Sequence, residues 1–201
     1  MANGRSVGNI MITGLPAVEE LSVVAARVRR GVVAVRSADG SGAGVIWDGD
    51  GRVVTAAHVV RRGPLTVEDA EGRTYEATLE RSDEGNDLAL LRIPAGNIEP
   101  PAWAFDAPVR TGQLVLAVGN PWAIPGSVSF GIVFGTGEVT PDNRVALPGA
   151  IYADLRLEPG NSGGPFVDAR GRVLGIASMV SGGMAVAIPA ATVRRFVENV
   201  I

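Results

Sequence analysis

Glu158-Pro159-Gly160-Asn161-Ser162-Gly163-Gly164-Pro165 is the stretch on which the reading of this chain turns, because a serine boxed in by glycines presents a hydroxyl together with free backbone donors. Ser162 is the candidate nucleophile. A serine hydroxyl is protonated at neutral pH, so it needs a base to take its proton and a third group to hold that base in the right tautomer. The sequence contains one histidine, His58. Asp87 follows it at the head of the apolar run Leu88-Ala89-Leu90-Leu91, which reads as a buried strand, and is the leading third member. Asp83 and Glu84 fall in a polar, turn-like cluster where solvation is the default, and Asp154 reads as structural or rim-lying. Negative charge developing on an attacked carbonyl oxygen needs preorganised donors. These are assigned to the backbone amides of Gly160 and Ser162, with Asn161 between them in the same oxyanion loop. Pro165 opens the next strand.

The segment also satisfies G-x-S-x-G, the strand-to-helix serine turn of the α/β-hydrolases, in which the acid and then the histidine follow the serine. Here the histidine precedes the serine and none follows it, so that arrangement cannot be completed.

With 201 residues, 46% hydrophobic and 19% charged, the chain is long enough and apolar enough to bury a substantial core, as one domain or two small lobes. A net charge of −3 carries no basic footprint, so no nucleic-acid partner is expected. All 18 basic residues are arginine, and the pairs Arg29-Arg30, Arg61-Arg62 and Arg194-Arg195 read as solvated charges. Cysteine is absent, which removes disulfides and thiolate chemistry, and a single histidine excludes a histidine-rich zinc site. No cofactor and no metal are expected. Ile10-Met11-Ile12 is the longest apolar run near the N-terminus, too short for a signal-peptide core or a membrane span, so a cytoplasmic location is expected if Met1 is the native start, and an extracytoplasmic one if the sequence is trimmed.

Apolar residues at Val18, Leu21, Val24, Ala25 and Val28 carry helical spacing between Pro16 and Arg30, and Gly31 ends that helix. Short β-rich runs follow: Val32–Arg36, Ala43–Trp47, Arg52–Thr55, Leu65–Glu68, Tyr75–Glu80 and Leu88–Ile93. The proline-rich piece Pro94–Gly112 reads as a linker. A second group comprises Gln113–Val118, Val128–Phe134, Gly137–Thr140, Ile151–Leu157, Pro165–Val167 with Val173–Ser178, and Ala185–Ile188. Pro189–Ile201 closes the chain as a short helix through Val193, Phe196, Val197 and Val200. The expected fold is therefore all-β, two six-stranded antiparallel barrels with short terminal helices, since closure leaves no exposed sheet edge. In residue numbers this gives an N-terminal segment 1–31, a first barrel 32–93, a linker 94–112, a second barrel 113–188 and a C-terminal helix 189–201, together one domain with its site in the cleft between lobes.

The order His58, Asp87, Ser162 is the chymotrypsin order. Val54-Thr55-Ala56-Ala57-His58-Val59-Val60, Asp87-Leu88-Ala89-Leu90-Leu91-Arg92-Ile93 and Pro159-Gly160-Asn161-Ser162-Gly163-Gly164-Pro165 resemble the histidine, aspartate and serine motifs of the trypsin-fold serine proteases, within them the HtrA/Deg branch. Gly40-Ser41-Gly42-Ala43-Gly44, Val118-Gly119-Asn120-Pro121 and Ala187-Ile188-Pro189 resemble further stretches of that family, so the similarity runs from about Val32 to Val197. The resemblance implies a serine endopeptidase working through an acyl-enzyme, acting on unfolded or misfolded polypeptides. Family members typically continue into a PDZ domain, which is not evident before Ile201, and many form trimers through an aromatic N-terminal segment. The stretch before Gly31 contains no aromatic residue, so the oligomeric state stays open.

The same resemblance implies that Leu157, Ser178, Met179 and Val180 wall the pocket for the side chain preceding the cut, which favours small to medium aliphatic groups. Arg156 is a departure: pointing inward it would select an acidic side chain, pointing outward it is a surface charge, and outward is expected because an unpaired buried arginine is costly. Two rivals share these residues. One is a non-proteolytic peptide-binding or chaperone-like protein that retains the fold; the other is an esterase.

Overall fold

Short strands with one apolar face must bury that face, and here they do so by closing on themselves. The computed structural model describes residues 18–96, 98–120, 124–139 and 147–198. The first barrel contains β1 (Val32–Ser37), β2 (Gly40–Ile46), β3 (Arg52–Ala56), β4 (Leu65–Glu68), β5 (Thr74–Asp83) and β6 (Leu88–Arg92), in the ring order β1-β2-β3-β6-β5-β4. The second contains β7 (Leu114–Gly119), β8 (Ser127–Val139), β9 (Leu147–Asp154), β10 (Pro165–Asp168), β11 (Val173–Ser181) and β12 (Met184–Pro189), in the order β10-β11-β12-β9-β8-β7. Neighbours pair antiparallel, as in Val54↔Leu90 and Ile176↔Ile188. Two helices flank the barrels, α1 (Val18–Arg29) and α2 (Ala190–Glu198). Pro16, Pro121, Thr140, Val200 and Ile201, used in the sequence reading, lie outside the described residues.

β2 begins three residues before the expected run, and β5 and β11 each end three residues beyond theirs; the larger differences from expectation are in β8 and β9. The runs from Val128 and from Gly137 belong to one strand, β8. Its glycines look like breaks in the sequence, but irregularities between Val133 and Gly135 and between Gly137 and Val139 let the strand bend while it stays paired with β9. The other is β9, which covers Leu147–Asp154 in place of Ile151–Leu157. Past Asp154 the ladder is replaced by a side-chain bond, Ser129 Oγ donating to the Arg156 carbonyl at 2.7 Å, and the chain is released toward the serine loop.

Each barrel has its own filling, Val33, Val35, Ile46, Val53 and Leu91 in the first, Val115, Val133, Ile151 and Phe166 in the second. A third cluster joins them. Val54, Leu88 and Leu90 of the first barrel pack with Ile176, Val186 and Ile188 of the second and with Val193, Phe196 and Val197 of α2. On another side Val24 and Val28 of α1 pack with Val32 of β1, Ala43 of β2 and with Leu116 and Val118 of β7. The linker is pinned as well: Ala104 N donates to Val173 O at 2.9 Å and Val173 N to Ala102 O at 2.8 Å. Apolar burial at these seams sets the orientation of one barrel against the other.

Three hairpins use one turn device. Asp48-Gly49-Asp50-Gly51-Arg52, Asp69-Ala70-Glu71-Gly72-Arg73 and Asp168-Ala169-Arg170-Gly171-Arg172 each place the aspartate Oδ1 on the amides two and four residues on, and Oδ2 on the arginine Nε four residues on. The glycine takes the left-handed conformation that the turn demands, φ 86, 80 and 77° respectively. The arginines are therefore structural partners, which composition alone does not reveal.

Burial pushes the Asp69 carboxyl up, but the amide and guanidinium of Arg73 and the hydroxyl of Tyr75 outweigh it and hold the group below its ordinary value. A carboxyl depressed in the folded state contributes stability that is present above its unfolded pKa and lost as pH falls through the folded one. Asp69→Asn should therefore lower the urea midpoint at pH 7, and the gap to the parent should narrow below about pH 4. Paired urea melts at pH 7 and pH 3 would check this; an equal gap at both would contradict it.

Candidate active site

Asp87 is the residue on which the site is built. Asp83 accepts the Asn86 backbone amide at 3.0 Å and its side-chain amide at 2.7 Å, folding residues 83–86 into a tight turn. Asp87 then enters β6 at φ 53°, a left-handed conformation that costs a non-glycine residue of order 1 kcal/mol or more and persists where the surroundings over-determine it. That conformation lets one residue hold a second segment at several points. Its carbonyl accepts the Ala57 amide at 3.0 Å, its Oδ1 accepts the His58 amide at 3.0 Å, and its carboxylate lies 2.9 and 3.0 Å from His58 Nδ1. These bonds shape the single 3-10 turn Ala57–Val59 that follows β3 and carries His58.

Asp87 is 3% exposed, so each bond to its carboxylate counts. Burial pushes the Asp87 carboxyl up, but the ring and charge of His58, the Ser178 hydroxyl and the His58 amide together hold it below its ordinary value. Ser178 comes from the other barrel. It sits at the irregularity in β11 between Ala177 and Met179, where the strand carries one residue more than β12, and its buried hydroxyl donates to Asp87 Oδ2 at 2.5 Å.

Ser162 arrives on a loop stitched to the first barrel. Asn161 N donates to Glu158 O at 3.0 Å, closing a four-residue turn with Pro159 and Gly160 at its centre, and Gly160 stands at φ 104°. Proline followed by a positive-φ glycine is the signature of a type II turn. Beyond the serine, Gly163 N donates to Ala177 O, Gly164 N to Asn161 O and Ala177 N to Gly164 O. The Ser162 carbonyl accepts the Ala43 amide of β2 at 2.8 Å, while Thr55 Oγ1 of β3 donates to the Ala43 carbonyl at 2.7 Å. Gly163 fills the remaining space: a Cβ there would lie 2.1 Å from Ala43 O and 2.3 Å from Thr55 Oγ1, at φ 86°. The Ser162 hydroxyl itself donates to the Ser178 carbonyl at 3.2 Å.

His58, Asp87 and Ser162 thus come from β3–β4, β5–β6 and β10's leading loop, and Ser178 touches two of the three. Ser178, expected in the pocket wall, directs its side chain to Asp87 and only its carbonyl to Ser162. Leu157 and Met179 are half-buried against the second-barrel and inter-barrel cores, and Val180 is exposed. Arg156 extends into solvent, 82% exposed, and pairs with Glu158. Asp154 is exposed at the end of β9. Among the described residues no three histidine, aspartate or glutamate side chains converge as a metal set. The hydroxyl contact of Ser178 could not be foreseen from sequence, because an extra residue in a strand decides it.

A double barrel joined by one buried carboxylate, with a histidine and a glycine-flanked serine at the seam, defines a trypsin-type peptidase domain. Residues 42–176 match the family of trypsin-like peptidase domains. Protease Do-like 1, chloroplastic, of Arabidopsis thaliana is 32% identical over 81% of this chain, and serine protease HTRA2, mitochondrial, of Drosophila erecta is 35% identical over 79%. The crystal structure of the serine endoprotease from Yersinia pestis superposes with a TM-score of 0.81 at 30% identity, covering 92% of this chain and 67% of that one. The chain belongs to the trypsin-like peptidase family, among its HtrA/Do-like serine proteases. It spans 39% of the length of the Arabidopsis and Drosophila relatives.

Gly163→Ala should lower the unfolding free energy by roughly 3 kcal/mol or more, since both colliding groups are fixed and the φ is wrong for alanine. Urea denaturation of the purified variant measures it; a loss under about 1 kcal/mol would mean that the serine loop is not held against β2 and β3 as described.

Proposed function

We propose that this chain is a serine endopeptidase domain in which Ser162 attacks a peptide carbonyl, His58 takes its proton and Asp87 holds His58. The observation that carries the reading is the Asp87–His58 pair. A carboxylate 2.9 Å from Nδ1 makes that nitrogen the donor and leaves Nε2 as the acceptor, the tautomer a general base requires. The Ser162 hydroxyl, on the Ser178 carbonyl at rest, turns to His58 Nε2 when substrate enters; such bonds tighten on binding. His58 then returns the proton to the leaving amine, and water repeats the sequence on the acyl-enzyme. Asp87 stays ionised throughout and stabilises the imidazolium.

The oxyanion is met by the amides of Gly160 and Ser162. Support comes from the type II turn, whose glycine at φ 104° turns its amide the opposite way from a helical turn at the same place. The Asn161 amide is committed to Glu158 O, so it closes the turn and does not donate to substrate. Leu157, Met179 and Val180 line the pocket for the side chain preceding the cut, and with Arg156 spent on Glu158 that pocket takes aliphatic groups. Unfolded polypeptides, bound extended, are the substrate class.

A fluorophosphonate probe should label the protein once, and Ser162→Ala should abolish labelling and casein digestion together. Folded protein that binds casein but does not label would overturn the reading in favour of a peptide-binding protein, and cleavage of esters without amides would favour an esterase. Asp87→Asn should lower kcat by about 10⁴-fold, because the wrong His58 tautomer is then held. Steady-state kinetics on a peptide taken from the digest measures it; a loss below tenfold would remove Asp87 from the mechanism.

A further inference from the structure

Gly160 has a second constraint, at its carbonyl. Its carbonyl accepts the Asn120 amide at 3.1 Å, while the amide of the same peptide unit, Asn161 N, donates to Glu158 O at 3.0 Å. The Gly160–Asn161 peptide is therefore pinned at both ends. With the φ of Pro159 closed by its ring, the freedom of the preceding amide is reduced to the linked rotation of Pro159 ψ and Gly160 φ. Whatever holds Asn120 thus holds the turn.

Asn120 is held by its side chain. Its Nδ2 donates to the Val33 carbonyl of β1 at 2.9 Å, and its Oδ1 accepts the Gly126 amide, just ahead of β8, at 3.0 Å. Donor and acceptor are both used, in a geometry that fits an amide and not a carboxylate. The residue ties three separate segments: a strand of the first barrel, the approach to β8, and the serine loop. Its neighbour Gly119 lies so close to the loop that a Cβ there would come within 2.5 Å of Asn161 Oδ1, so the two segments move together or not at all.

We propose that Asn120 is a positioning residue for the oxyanion turn: its side-chain amide, clamped between Val33 O and Gly126 N, holds its backbone amide on Gly160 O and so keeps the Gly160–Asn161 peptide oriented. The catalytic part of this inference rests on the endopeptidase reading above; the structural part does not. Asn120 touches no substrate and acts through Gly160. Loosening the clamp raises the cost of meeting the oxyanion and leaves peptide binding at the strand edges and pocket unchanged, which separates it from a residue that merely stabilises the fold.

Asn120→Asp keeps the volume and the acceptor for Gly126 but sets a second oxygen against the Val33 carbonyl, and Asn120→Ala removes both bonds without repulsion. Both variants should be compared with the parent by site-resolved hydrogen exchange of the Asn120 and Asn161 amides, which donate to Gly160 O and Glu158 O, by urea melts, and by kcat and KM on the digest-derived peptide. The expected result is exchange at those amides about tenfold faster or more, with kcat down about 10- to 100-fold and KM within about twofold, under conditions where the urea melt shows the variant fully folded. Exchange within twofold of the parent in a folded variant would overturn the proposal, as would an unchanged kcat or a loss carried by KM. Should the parent itself neither label nor cleave, the endopeptidase reading fails alone, and the exchange ratio still decides whether Asn120 holds the turn. If Asn120→Asp does not fold, Asn120→Ala answers the same question.

Discussion

The structure depends on one buried carboxylate. Asp87 accepts from the His58 amide and ring and from Ser178, and its own carbonyl holds Ala57, so a single residue organises the histidine turn of the first barrel and reaches the second. Removing the partners of a buried charge costs about 3–5 kcal/mol, which makes the relative placement of the two barrels part of the electrostatic requirement of the site. The left-handed backbone at Asp87 is strain of the kind that persists only where its surroundings hold it, and here the holding is done by hydrogen bonds from both barrels.

Apolar burial makes those bonds possible. The inter-barrel cluster of Val54, Leu88, Leu90, Ile176, Ile188 and the α2 face starts at the residue next to Asp87, itself 3% exposed, and α1 packs along another seam against β1 and β7. In a drier surrounding each hydrogen bond to Asp87 is stronger and each missing one more costly. The serine loop is fixed by a different means, the fit of glycines against backbone. Gly42 and Gly163 let β2 and the loop approach until Ala43 N and Ser162 O bond, and a side chain at either place would collide with rigid groups. Three groups of different origin are thereby brought to one seam without a disulfide, since the chain has no cysteine.

The placement of Arg156 follows the same economy of charge. Arg156 stands close to Ser162 in sequence, yet it lies in solvent and pairs with Glu158, while its neighbour Leu157 packs half-buried against the second-barrel core. Burying that cation unpaired would cost several kcal/mol, whereas an exposed pair costs almost nothing.

The strand groups and the two-barrel closure were legible in the sequence, and so were Ser162, His58 and Asp87 as candidates, because these are carried by local signals: period-two alternation, turn residues, and glycines around one hydroxyl. The sequence put Asp87 ahead of Asp83 and Glu84 because only Asp87 abuts the apolar run Leu88–Leu91; in the structure Asp87 lies on His58, and Asp83 accepts from Asn86. Four features were not legible in the sequence: β8 runs through its glycines, β9 ends at Asp154, Ser178 turns its hydroxyl onto Asp87, and the Asn120 side chain clamps Val33 to Gly126. The physical reason is common to all four. Where a strand bends, stops or carries an extra residue is settled by partners distant in sequence, and a hydrogen bond between residues 91 positions apart, as between Ser178 and Asp87, leaves no periodicity to read.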